Sequence, residues 1–150
     1  MDKTLLRKQL FNKCMELHME KIRHLDAAME EAEKTAHEYD EPSDDSDTHK
    51  MELIGNRDMY AKQLQMEMDM LEILNKMDIT VNHDLVEFGS VVVTDMQKVF
   101  ISIGIGKVEV EKDTFYAISL QVPFYQAMKG LKKGDTFDFR DRKVKILDVF

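Results

Sequence analysis

Residues 2–37 hold neither glycine nor proline, and a run that long without a breaker reads as one helix. Within it, apolar and small residues recur at Phe11, Met15, His18, Ile22, Leu25, Met29, Ala32 and Ala36. The spacing alternates four and three, the seam of a coiled coil. Leu10, Cys14 and Leu17 widen the stripe near its start. Toward the far end the seam shrinks to Ala32 and Ala36, where a second helix can close in. Asp2 or Thr4 is placed to cap the start. At about 1.5 Å per residue the helix runs to about 50 Å. That exceeds the width of a small domain, so part of it is expected to project.

The helix ends in Glu38-Tyr39-Asp40-Glu41-Pro42-Ser43-Asp44-Asp45-Ser46-Asp47-Thr48, in which six of eleven residues are acidic and none is basic. Pro42 forbids an uninterrupted helix, because its ring removes an N–H and crowds the preceding turn. Ser46 or Asp47 is placed to cap a second helix reaching about Lys76. Leu53, Tyr60, Leu64, Leu71 and Leu74 lie on its seam, with Arg57 and Glu67 filling the gaps. Met66, Met70, Ile73 and Met77 form a second stripe, so the base is expected to pack on something further. Gly55 weakens this helix by about 1 kcal/mol. Two matched helices with a short connection predict an antiparallel coiled-coil hairpin over 1–78, with an acidic tip at 38–48. An intermolecular coiled coil is the alternative. The bland reading of the acidic stretch is a solvated turn, since charge runs usually face water.

Asn75 to Asp84 reads as a linker, after which the pattern turns β-rich. Runs at Val86–Asp95, Lys98–Ile105, Lys107–Val110 and Phe115–Ile118 predict strands. Val122 to Lys129 predicts one short helix with Pro123 in its first turn, ended by Gly130. Thr136–Phe139 and Lys143–Phe150 predict a hairpin across Asp141-Arg142. The expected fold is α+β, the helical hairpin followed by a small antiparallel-sheet domain with one short helix over 79–150.

Charge divides the chain the same way. Residues 1–78 carry 11 Lys/Arg against 19 Asp/Glu, and residues 79–150 carry 10 against 10. An acidic arm does not bind nucleic acid by neutralising phosphates; it suits a basic protein surface or a cation. No apolar run approaches the ~18 residues of a membrane span. The start lacks the apolar core of a signal peptide, and Cys14, alone, forms no internal disulfide, so a cytoplasmic protein is expected. His18, His24 and His49 have no zinc-like spacing. Gly104-Ile105-Gly106 lacks the third glycine and following helix of a dinucleotide loop. Lys129, Lys132 and Lys133 form a small basic cluster, read either as a solvated turn or as a phosphate contact.

Two stretches resemble one family, the Gre-type transcript cleavage factors of bacterial RNA polymerase, whose coiled-coil hairpin carries an acidic tip ahead of an FKBP-like domain. The family tip, Gly-Asp-Leu-Ser/Lys-Glu-Asn-Ala-Glu-Tyr, falls on Asp40 to Thr48. Its two working carboxylates fall on Glu41 and Asp44, each the acidic alternative to the family residue. Asp40 stands for Gly, Pro42 for Leu, Asp45 for Asn and Thr48 for Tyr. In the second half, Val86-Glu87-Phe88-Gly89-Ser90 is similar to the family's first C-terminal strand. Ile118-Ser119, Val122-Pro123-Phe124 and Ala127 through Asp135 are similar to its Ser-Pro-Ile-Ala…Leu-Ile-Gly-Lys…Gly-Asp segment. Val144 to Val149 is similar to its closing strand.

The resemblance implies a transcription elongation factor that is not itself an enzyme. Its tip would enter the secondary channel of RNA polymerase, where Glu41 and Asp44 would share a weakly held Mg²⁺ with the polymerase. They would promote cleavage of backtracked RNA, nucleic acid being contacted only inside that complex. It also implies a docking surface within 119–135, with Ser119, Pro123, Lys129, Lys132 and Lys133 as candidates, and no membrane or small-molecule partner. The extra acids Asp45 and Asp47 resemble multi-acid tips of relatives that inhibit polymerase, which keeps open a regulator that blocks the channel without cleavage. Two further readings compete. A prolyl isomerase needs an aromatic-lined pocket that a half-chain without Trp is poorly equipped to form. A coiled-coil adaptor would be indifferent to its tip.

Overall fold

Asp2 caps the long helix. Its carboxylate accepts the N–H groups of Thr4 at 3.0 Å and Leu5 at 3.4 Å, satisfying donors that a helix start leaves bare. We describe the protein from a computed structural model. It covers residues 2–37 and 44–150, with side chains for 2–35 and 55–150. Helix α1 spans Lys3–His37 and α2 spans Asp44–Asn75. The second helix begins earlier than expected, so Ser46 and Asp47 lie within its first turn.

The chain divides into two compact units, Met1–Leu17 with Glu72–Phe150, and His18–Leu71. The sequence reading divides the chain at 78/79, where helix gives way to strand. The compact units instead place the first turns of α1 and the last of α2 with the sheet.

In the unit of residues 18–71 the two helices run antiparallel. His18 meets Glu67, and Arg57 meets Glu33 at 2.9 Å. The expected seam of α1 is buried or half-buried at each described position, from Met15 and His18 through Ile22, Leu25 and Met29 to Ala32. The second Met stripe divides: Met77 is buried in the other unit, while Met66 and Ile73 are exposed.

The other unit carries a six-stranded sheet: β1 Val91–Thr94, β2 Lys98–Ile101, β3 Gly106–Val110, β4 Asp113–Ile118, β5 Thr136–Phe139 and β6 Arg142–Val149, in the order β3-β4-β2-β1-β6-β5. Helix α3, Pro123–Met128, crosses between β4 and β5. The core joins Phe124, Tyr125 and Met128 of α3 to Val92, Val99, Ile101, Phe137, Val144 and Ile146 of the sheet. Leu6, Leu10 and Cys14 of α1, with Leu74 of α2 and Met77 just beyond its end, are buried in the same unit. The widened apolar base that the sequence shows is therefore spent there.

Two expectations are corrected. The sheet is not wholly antiparallel, because β2 and β4 pair in parallel. The β3–β4 hairpin folds back so that β4, not β3, lies beside β2. A two-residue period reports which face a side chain takes and not which strand is its neighbour. The run from Val86 also does not extend continuously into β1. Gly89 has φ of 93°, and a Cβ there would lie 3.2 Å from His83 Nε2. The chain bends at this glycine, and the residues before it pair elsewhere, the N–H of Val86 donating to Leu131 O at 2.8 Å.

Candidate functional site: the acidic connection and the α3 segment

The sequence-predicted residues fall in two places. Asp44 is the first residue of α2. Glu41 lies outside the described residues, as does the side chain of Asp44. Among the described residues, no group of three or more His, Cys, Asp or Glu is placed to hold a metal ion.

Ser119, Pro123, Lys129, Lys132 and Lys133 all lie on one segment, leaving β4, passing through α3 and entering β5. Pro123 is exposed at the first helical position, where its missing N–H costs nothing. Six residues are too few to hold a helix by propensity alone. Packing holds it instead: the Phe124 ring sits edge-on to Phe137 at 5.5 Å and to Phe139 at 5.0 Å. At its C-terminal end the N–H of Gly130 donates to Val86 O at 2.9 Å. Asp135 then closes the turn by accepting the Lys132 N–H at 3.0 Å. Lys129, Lys132 and Lys133 are exposed on this frame, and Ser119 is half-buried. The structure thus brings these five onto one braced stretch.

Three polar arrangements went unpredicted. Arg7 is wholly buried. Its guanidinium donates twice to Ile79 O, at 3.1 and 2.9 Å, and once to Asn82 Oδ1 at 3.3 Å. It ties the start of α1 to the chain leaving α2. Burial lowers its pKa, and the Asp78 carboxylate opposes that shift. His18, a seam position of α1, is 2% exposed. Its Nε2 lies 2.6 Å from Glu67 O and its Nδ1 3.4 Å from Glu67 Oε2, with Lys21 on the same carboxylate at 2.9 Å. Glu67, in a seam gap of α2, is the one clue the sequence offered for this contact. The third is a run of basic residues from Arg140 to Lys145, visible as charge but not singled out.

Cys14 is buried. Burial pushes its thiol up to about 12, a hydrogen bond with Ser102 pulling the other way. At pH 8 such a thiol is thiolate in about one molecule in ten thousand. Native protein is therefore expected to react with a disulfide reagent about a thousandfold more slowly than urea-unfolded protein. Comparable rates in the two states would show that Cys14 is accessible.

No protein-family profile matches the chain, and no curated protein matches it. Among solved structures, one described as that of the transcription factor Gfh1 is similar over 90% of this chain and 92% of its own, at 21% identity and a TM-score of 0.34. Likeness at that level assigns neither residue roles nor chemistry. Among the described residues, no helix is long and apolar enough to cross a membrane.

Proposed function

We infer that this protein is a transcription elongation factor that binds RNA polymerase and lends carboxylates to its active centre. One observation carries the reading. An acidic stretch with six carboxylates joins two helices of 35 and 32 residues, Glu38, Asp40 and Glu41 following the first and Asp44, Asp45 and Asp47 opening the second, in a chain whose second half resembles the Gre-type C-terminal domain. The α+β architecture and the braced segment 119–135 support it.

The donor chemistry fits a shared Mg²⁺. Carboxylates are hard oxygen ligands, and Mg²⁺ keeps several waters, so one or two extra carboxylates suffice to fix it. Glu41 and Asp44 would hold the ion. When bound, Mg²⁺ lowers the pKa of a coordinated water and steadies the attacking and leaving oxygens. The two carboxylates would orient that water toward the phosphodiester of backtracked RNA. The polymerase supplies the remaining ligands, and the chain acts as an accessory factor without a turnover of its own. Ser119, Pro123, Lys129, Lys132 and Lys133 would form the docking surface.

The second reading, a channel-blocking regulator, is favoured by Asp45 and Asp47. They raise the acidity of the connection beyond the two carboxylates that cleavage requires. A backtracked elongation complex of the cognate polymerase separates the two readings. Faster transcript cleavage on adding the protein is expected. Slower elongation without cleavage would select the regulator, and no association with polymerase would sink both.

A further inference from the structure

We propose that the β5–β6 ribbon, with the turn leading into it, binds the phosphate backbone of nucleic acid. Residues 129–145 hold seven basic residues against three acidic ones, a net of four positive charges in a chain whose total is −8. The rest of the chain therefore carries −12.

All seven basic side chains are exposed. Among the described residues, none makes an ion pair. Other lysines of the same unit do: Lys3 with Asp148 at 2.8 Å, Lys98 with Asp113 at 3.2 Å and Lys107 with Glu109 at 3.2 Å. Among the described residues the basic charge of the ribbon is unpaired, whereas these three lysines are matched.

The fold sets this charge along one ribbon. Lys145 stands opposite Thr136 and Lys143 opposite Asp138. Both lysines alternate with Val144 and Ile146, which are buried in the core, so they share the outward face. At one end Arg140 and Asp141 form the tight turn, with φ of 50° and 62°. There the Arg140 guanidinium lies over Phe139, 5.1 Å from its centroid. At the other end the N–H of Gly134 donates to Ile146 O at 2.9 Å, which brings Lys133 alongside.

Two plainer accounts fall short. Lysines on an edge strand deter pairing with other chains, but the open side of β6 at Lys145 is already occupied by Asp95, whose Oδ1 accepts the Lys145 N–H at 3.0 Å and whose N–H donates to Lys145 O at 3.1 Å. A protein partner would want apolar or aromatic anchors at the centre of its interface. Of the exposed large hydrophobic residues, only Leu147, toward the far end of β6, falls within the β5–β6 ribbon. Phosphate contact needs only charge and donors.

The surface is argued from charge and register alone, independently of the polymerase reading, and its test contains no polymerase. The full chain is titrated into labelled mixed-sequence single-stranded RNA and, separately, duplex DNA, between about 50 and 200 mM salt. We expect weak binding, with Kd on the order of 10⁻⁴ to 10⁻⁶ M. In Lys143→Gln/Lys145→Gln the salt slope should fall by about 1.4 for RNA or 1.8 for duplex. The arm with the tighter binding names the preferred form. Lys98→Gln/Lys107→Gln should leave the slope unchanged, and circular dichroism checks that both variants are folded. No binding at about 50 mM salt overturns the proposal. So does a slope indifferent to the ribbon substitutions, and so does binding to polyglutamate in place of nucleic acid, which would point to an acidic protein partner.

Discussion

Replacing Glu41 and Asp44 together by alanine should reduce stimulated transcript cleavage at least ~100-fold while leaving polymerase binding in place. The size follows from how such chemistry depends on position. Misplacing a reacting group by ~1 Å costs ~100-fold, and alanine removes both carboxylates rather than moving them. Binding should survive because docking is assigned to the α3 segment. The fold should survive too, since neither residue belongs to the buried core of the sheet unit. The conservative swap Glu41→Asp/Asp44→Glu is the sharper control. It keeps both charges but moves each by a methylene, and it restores the residue types of the family tip. Activity equal to or above wild type in the swap, against loss in the alanine variant, would tie the effect to these two carboxylates. Undiminished cleavage in the alanine variant would remove them from the mechanism.

Phe124→Ala should destabilise the sheet unit by about 3–5 kcal/mol. The ring is 5% exposed and packs edge-on against two other phenylalanines, an arrangement worth about 0.5–1.5 kcal/mol beyond its buried area. Helix α3 has no side-chain cap at its start, so losing this anchor frees the helix from β5. A urea titration should show a lower midpoint. At concentrations of urea where the variant remains folded, its affinity for polymerase should also fall, because residues 119–133 are held by this contact. Phe124→Leu should recover most of the stability. A midpoint unchanged in Phe124→Ala would mean that α3 is held by something other than its aromatic cluster.

Much of the architecture could be read from residues alone. The unbroken run over 2–37 and its seam dictated α1, and buried or half-buried side chains fall where the alternating spacing puts them. Pro123 and Gly130 marked α3, whose expected span of Val122–Lys129 exceeds the observed Pro123–Met128 by one residue at each end. Thr136–Phe139 emerged as β5 at its expected bounds. What escaped was conformation that the residues do not ordinarily favour. The turns at Glu111-Lys112 and Arg140-Asp141 hold all four residues at positive φ, a geometry usually given to Asn-Gly or Gly. Neither pair announces a turn by composition, and the last hairpin was accordingly read one residue late.

The sequence by itself determined the helices, the alternation of buried and exposed residues along the strands, and the concentration of acid where α1 gives way to α2. These follow from local periodicity and breakers, which neighbouring residues settle among themselves. Only the tertiary structure decided that β4 lies beside β2 in parallel, and that Arg7 reaches 72 positions along the chain to Ile79. It also decided that Lys143 and Lys145 share one outward face beside β5. Each is a relation between segments distant in sequence, set by which apolar surfaces pack together, and a periodic pattern names a face without naming its partner.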